Sequence, residues 1–172
     1  GGVELEVPAR TDQPRPVDLL IIADTNVVSE FMRDDPDPVV IAWARTVAPA
    51  DLSICVVTVE EIERGLGLLP AGRRRRELEG QWHDMVDTFA DAVVVYDLPA
   101  AQETAAILVA AQAAGRPMSL ADAQIAGICR SGGHELATRN IDDFAIVSGL
   151  ALINPFQQQP FVGAVRNARF GK

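Results

Sequence analysis

The sequence predicts an α/β fold of three layers, with a parallel sheet held between two layers of helices. Three observations point there. Short apolar or β-rich runs at 19–23, 52–58, 92–96, 135–139 and 150–154 alternate with stretches of helical spacing, which is how strand–helix–strand units read in a sequence. The run LLIIA (19–23) is apolar throughout, as a strand buried on both faces is. Helix punctuation falls between the runs, at Asp37-Pro38, Pro99, Gly115 and Gly132-Gly133.

The elements follow in order. VELEV (3–7) alternates apolar and charged residues and predicts a half-exposed strand, and PARTDQPRP (8–16) carries three prolines and predicts an extended linker. Strand 19–23 stops at Asp24, and a helix is predicted over 25–33. DPDP (35–38) is a turn in which Asp37 caps a helix that has Pro38 at its first position and runs to about Val47. LSICVVT (52–58) predicts a second buried strand, and VEEIERGLGLL (59–69) has helical spacing. GRRRRELEGQWHDMVDTFA (72–90) predicts an amphipathic helix, and AVVVY (92–96) a third strand. PAAQETAAILVAAQAAG (99–115) and SLADAQIAGICRSGG (119–133) predict two more helices, then ELATR (135–139) and LALIN (150–154) two short strands. The segment 157–172 has no clear pattern and is read as a tail.

At 172 residues the chain is expected to form one domain with a substantial core. No apolar run approaches the roughly 20 residues that span a bilayer. The first twenty residues are acidic and proline-bearing, unlike a signal peptide, and the start at Gly1-Gly2 without Met predicts a trimmed, fused or tagged chain. Cys55 and Cys129 lie in apolar segments and read as core thiols of a protein kept in a reducing cytoplasm. The formal net charge is −9, and the only lysine is Lys172. Such a chain has no broad attraction for nucleic acid, so acting on one requires a local basic patch or bound metal ions.

Acids recur where strands end. Asp24 closes the first strand, Glu61 follows the second, Asp143 follows ELATR, and Asp122 opens the helix SLADAQIAGI. Parallel strands point the same way, so these acids are expected at one crevice, where they repel one another unless cations offset the charge. Sites rich in oxygen ligands suit Mg²⁺ or Mn²⁺. A plainer reading stands beside this one. Thr58-x-x-Glu61, Ser119-x-x-Asp122 and Asn140-x-x-Asp143 fit the capping box or its near relatives, and Asp24 fits an N-cap. The two are compatible, because an acid fixed at a helix N-terminus is also a well-oriented ligand.

ADTNVVSEF, VTVEEIERG, SLADAQIAGI and ATRNIDDF resemble, in order, the four acidic motifs of PIN-domain proteins, most closely the VapC-type and FitB-like ribonuclease toxins. The resemblance covers about Ile21 to Phe156 and implies a five-stranded parallel sheet between helices. The PIN domain is then expected over 19–156, between an arm (1–18) and a tail (157–172). The resemblance assigns Asp24, Glu61, Asp122 and Asp143 as the acidic quartet, with Thr25, Asn26, Thr138 and Asn140 as accompanying polar residues; Ser119, like Thr25 and Asn26, is expected to hydrogen-bond ligands, water or phosphate oxygens. It prefers Glu61 over Glu60, and Asp143 with Asp142 as the fallback. It implies hydrolysis of RNA phosphodiesters with Mg²⁺ or Mn²⁺ held by Asp24, Asp122, Asp143 and Glu61, leaving a 5′-phosphate and a 3′-hydroxyl. It also implies a cognate VapB/FitA-like antitoxin and a toxin homodimer.

The arm 1–18 resembles in composition the carboxyl-terminal tail of a FitA-like antitoxin. In such pairs the tail can place an Arg in the acidic pocket, and Arg10 is the first candidate here and Arg15 the second. A flexible tail or cloning remnant fits the arm equally. Arg73–Arg76 form the one basic cluster, expected first as a solvated helix start with Arg73–Glu77 and Arg75–Glu79 ion pairs, and second as a phosphate contact. His83 and His134 are isolated and read as surface or satisfied interior residues; Trp43, Trp82 and Phe89 read as core or interface. Two other classes compete. A haloacid-type phosphatase wants D-x-D-x-T, but Asn26 stands where the second acid belongs. A catalytically silent binding module keeps the fold, but all four acids are present.

Overall fold

The computed structural model describes residues 19–89 and 92–157; the arm with Arg10 and Arg15, residues 90–91 and residues 158–172 lie outside the described residues. Strand β1 (Ile21–Ala23) leads into α1 (Thr25–Phe31), and after a turn α2 spans Pro38–Ala44. Strand β2 (Leu52–Ser53) leads into α3 (Val56–Leu68), which is followed by α4 (Arg73–Phe89). Helices α5 (Leu98–Ala113) and α6 (Leu120–Gly132) precede β3 (Glu135–Ala137), the one-turn α7 (Ile141–Phe144) and β4 (Ala151–Ile153).

The sheet order is β2-β1-β3-β4, and every pairing is parallel. Ile22 stands opposite Ser53 on one side and Leu136 on the other, so β1 is central. Side chains alternate across this sheet and divide the core in two. Ile22 and Leu136 face α5 and α6, joining Ala100, Ile107, Ala126 and Cys129. Ile21, Ala23 and Ala137 face the other way, onto Val28, Trp43, Ile62 and Trp82 of α1–α4. The three expected layers are therefore present, with both tryptophans inside. Helices α5 and α6 approach closely at Gly127, where a Cβ would stand 2.7 Å from the Ala100 carbonyl oxygen.

Two strand expectations change. LSICVVT does not remain a strand to Thr58: β2 ends at Ser53 and α3 begins at Val56, with extended Cys55 at its cap. The β-branched run is helical because burial of Val57 and Thr58 outweighs weak local preference. The fifth strand, AVVVY, is reduced to an isolated parallel bridge between Cys55 and Val94. Val94 takes and gives backbone bonds with Val56 and Ile54 at 3.0 and 2.9 Å. The ladder cannot lengthen because its partner turns into α3 two residues after Ile54. Both cysteines are buried and free, and burial raises both thiol pKa values. His83 is exposed, whereas buried His134 accepts from the Leu20 amide through Nδ1 at 3.3 Å, and burial lowers its pKa. No described helix is long and apolar enough to cross a membrane.

Candidate active site

The site forms at the carboxyl ends of the central strands. Asp24 is the first residue beyond β1, and its amide still bonds the Ala137 carbonyl of β3 at 3.0 Å. It is also the N-cap of α1: Oδ1 accepts from the Val27 amide at 3.0 Å. Its second oxygen, Oδ2, accepts from the Thr138 hydroxyl at 2.5 Å. Thr138 follows β3 and is completely buried, and its Oγ1 accepts in turn from the Asn140 amide at 3.0 Å. Capping and site geometry thus coincide in one carboxylate that is 5 % exposed. Burial raises the Asp24 pKa above its ordinary value, and the charge of Asp122 adds to the rise; bonds from Thr138, Val27 and Asn26 oppose it.

Glu61 lies in the second turn of α3, half-buried, and accepts from the Thr25 hydroxyl at 2.5 Å. The two residues open on a cleft of about 650 Å³ whose apolar walls include Met32, Ile62, Leu66 and Leu78. Asp122 sits in the first turn of α6. Ser119 caps that helix, accepting from the Asp122 amide at 3.1 Å and donating to its Oδ2 at 2.7 Å. Of the three capping-box patterns, this one forms its hydroxyl–amide bond. Thr58 lies inside α3, because the helix starts earlier than expected, and the Asn140 side chain makes no capping bond. Asp143 is exposed on α7 and shares a pocket of about 210 Å³ with Asp122, Ser119 and Arg116. Asn26 is exposed at the start of α1.

The quartet is therefore divided. Glu61 lines one cavity and Asp122 with Asp143 lines the other, while Asp24 is linked to the first through Thr25 and to the second by the charge of Asp122. Among the described residues, no three acidic, histidine or cysteine side chains close into a ready metal cage. Three of the carboxylates are turned instead onto hydroxyls, Asp24 onto Thr138, Glu61 onto Thr25 and Asp122 onto Ser119. None of the four forms an ion pair among the described residues, although Glu30, Glu60, Glu77, Glu79 and Glu103 each hold an arginine. The donor set is all oxygen and, among the described residues, holds no cationic side chain. That fits Mg²⁺ or Mn²⁺, since magnesium keeps several waters and needs only one or two carboxylates.

A family model of the PIN domain matches residues 9–150. The chain belongs to the PIN-domain family. Among relatives of this PIN domain, the plasmid stability protein StbB of Pseudomonas syringae pv. tomato is 34% identical over 139 residues, covering 80% of this chain and 99% of StbB. The VapC ribonuclease Y4jK of Sinorhizobium fredii is 34% identical over 142 residues, covering 80% of this chain and 99% of its own. The crystal structure of FitAcB from Neisseria gonorrhoeae superimposes with a TM-score of 0.74 at 29% identity, over 80% of this chain and 99% of that one. This PIN domain is thus of the VapC kind.

Two features of the site were not singled out in the sequence. Arg116, beside Asp122 and Asp143, had a signal in its position directly after the helix-ending Gly115. Glu30 is buried and accepts from the Asp37 amide at 2.7 Å; its other oxygen lies 3.9 Å from Arg139, whose guanidinium stacks 3.7 Å from the Phe156 ring centroid. That network braces the segment carrying Thr138 and Asn140 and left no local pattern to read. The basic cluster is largely committed: Arg73 pairs with Glu77, Arg74 with Asp34 and Arg75 with Glu79 at 3.2, 3.1 and 2.6 Å.

Proposed function

We propose that this chain is the toxin of a toxin–antitoxin pair and acts as a divalent-metal-dependent endoribonuclease in the cytoplasm. The observation that carries the reading is a set of four carboxylates at the carboxyl end of the sheet, none with a cationic side-chain partner among the described residues. The relatives support it: one is a VapC ribonuclease and another a toxin, FitB. In this reading Asp24, Asp122, Asp143 and Glu61 hold Mg²⁺ or Mn²⁺. When bound, the ion supplies charge that offsets the scissile phosphate and lowers the pKa of water.

The protein's own contribution is orientation. Thr138 and the Val27 amide hold both oxygens of Asp24, so its free lone pairs keep one direction. Thr25 does this for Glu61 and Ser119 for Asp122. Asn26 and Asn140, both exposed, are placed to bond water or phosphate oxygens. The apolar cleft beside Glu61 offers a cognate antitoxin segment a seat next to the acids. The same reading keeps the homodimer, and it keeps the arm as an inhibitor through Arg10 or Arg15.

The test uses purified, antitoxin-free protein and single-stranded RNA with Mn²⁺. Cleavage with 5′-phosphate ends that is lost on chelation and in Asp24→Asn is the expected result. RNA left uncut, or cut equally by Asp24→Asn, overturns the proposal.

A further inference from the structure

We infer that Arg116 is a substrate-binding residue of the Asp122–Asp143 pocket, where its guanidinium takes a phosphate oxygen of the RNA chain. This rests on the ribonuclease reading above. The first support is how firmly the residue is placed. Helix α5 ends in a Schellman motif: Gly115 adopts φ +67, its amide bonds the Gln112 carbonyl at 3.1 Å, and the Arg116 amide bonds the Ala111 carbonyl at 3.0 Å. Arg116 is therefore mounted on the end of a 16-residue helix, with Pro117 restricting the chain after it.

The second support is where the side chain goes. Nη2 donates to the Asp142 carbonyl at 2.8 Å, 26 residues away. Helix α7 has four residues, so its carbonyls have few helical amides to receive, and Arg116 satisfies one of them. The bond aims the guanidinium at the pocket lined by Ser119, Asp122 and Asp143.

The third support is charge. One of five guanidinium donors is used on the carbonyl, and Arg116 forms no ion pair among the described residues. Arg33, Arg64, Arg73, Arg75 and Arg130 are each paired with a carboxylate. In a protein of net charge −9, an unpaired guanidinium beside two carboxylates is what an approaching polyanion meets.

A bracing role for α7 needs only a hydrogen-bond donor, whereas a phosphate contact needs the positive charge, so the salt dependence of RNA binding separates the two. Binding of a mixed-sequence single-stranded oligoribonucleotide is measured over a salt series in an Asp24→Asn background, alone and with Arg116→Ala or Arg116→Lys. Cleavage kinetics are measured for the same Arg116 variants with Asp24 intact and Mn²⁺ present. Loss of one single-strand phosphate contact makes the slope of log K against log salt shallower by about 0.7 in Arg116→Ala, and Lys restores it. KM rises about tenfold in Arg116→Ala while kcat changes little. An unchanged slope, a Lys variant as weak as Ala, or a fall in kcat at constant KM overturns the binding role. A wild-type chain that neither binds nor cuts RNA instead overturns the ribonuclease reading beneath it.

Discussion

Thr138→Val tests whether the capped carboxylate is held as the structure indicates. The hydroxyl is fully buried, donates to Asp24 Oδ2 at 2.5 Å and accepts from the Asn140 amide at 3.0 Å. Valine keeps the shape and removes both bonds. A hydrogen bond to a charged group contributes about 1.5–3 kcal/mol and a neutral one about 0.5–1.5 kcal/mol, so the variant loses roughly 2–4 kcal/mol. For a chain of this size that lowers Tm by roughly 4–16 °C. The pH dependence follows from the same contact. The Thr138 bond lowers the Asp24 pKa against the larger effect of burial, so removing it raises that pKa further. The carboxylate part of the loss is complete above the variant's folded-state pKa. It vanishes below the native one, which already lies above 3.8. Cleavage that needs ionised Asp24 should show its acidic limb moved to higher pH. Urea unfolding at several pH values and a pH–rate profile measure both. A variant within about 0.5 kcal/mol of the native protein, with an unmoved acidic limb, refutes the reasoning.

Further outcomes are expected. Asp24→Asn should abolish cleavage yet stabilise the fold at neutral pH, because it removes a buried charge while asparagine still caps α1. The native Asp24 pKa is raised, so that gain is present at high pH and fades on acidification through the folded-state pKa toward 3.8; denaturation across pH checks it. Gly127→Ala should cost about 1–3 kcal/mol, since its methyl would crowd the Ala100 carbonyl, and thermal unfolding reads this directly. Replacing Arg73, Arg74 and Arg75 together by Ala should leave the salt slope of RNA binding nearly unchanged, as each is already paired; a clearly shallower slope would return the cluster to the RNA interface. Arg10→Ala should speed cleavage by the full chain if the arm inhibits, and equal rates would remove Arg10 from that role.

Much of this layout could be read in the sequence because it rests on local signals. Asp37-Pro38, Pro99 and Gly115 mark helix ends by backbone chemistry that needs no partner: α2 begins at Pro38 and α5 runs from Leu98 to Ala113 as they indicate, whereas the unmarked end of α2 falls at Ala44, short of the expected Val47. Ser119-x-x-Asp122 forms its cap for the same reason. Failures came where distant packing decides. CVVT reads as strand by composition, yet it opens α3, and Thr58 therefore cannot cap a helix it lies within. AVVVY has strand composition, but its neighbour leaves the sheet after one bridge. The motif order singled out four acids as candidates, but not that hydroxyls on Thr25, Ser119 and Thr138 hold three of them. Those bonds join elements far apart in the chain or depend on side-chain directions.

The bond between Asp24 and Thr138 joins residues 114 positions apart. It gives the acidic centre an order of assembly during synthesis. Strand β1 leaves the ribosome early, but β3 and the hydroxyl that fixes Asp24 emerge much later. At about 5–20 residues per second the interval is roughly 6–23 s. Through that time the chain carries Asp24, and later Glu61, without the strand that completes their setting. In the ribonuclease reading, a nascent chain therefore lacks the hydroxyl that fixes Asp24 until β3 and Thr138 have been made.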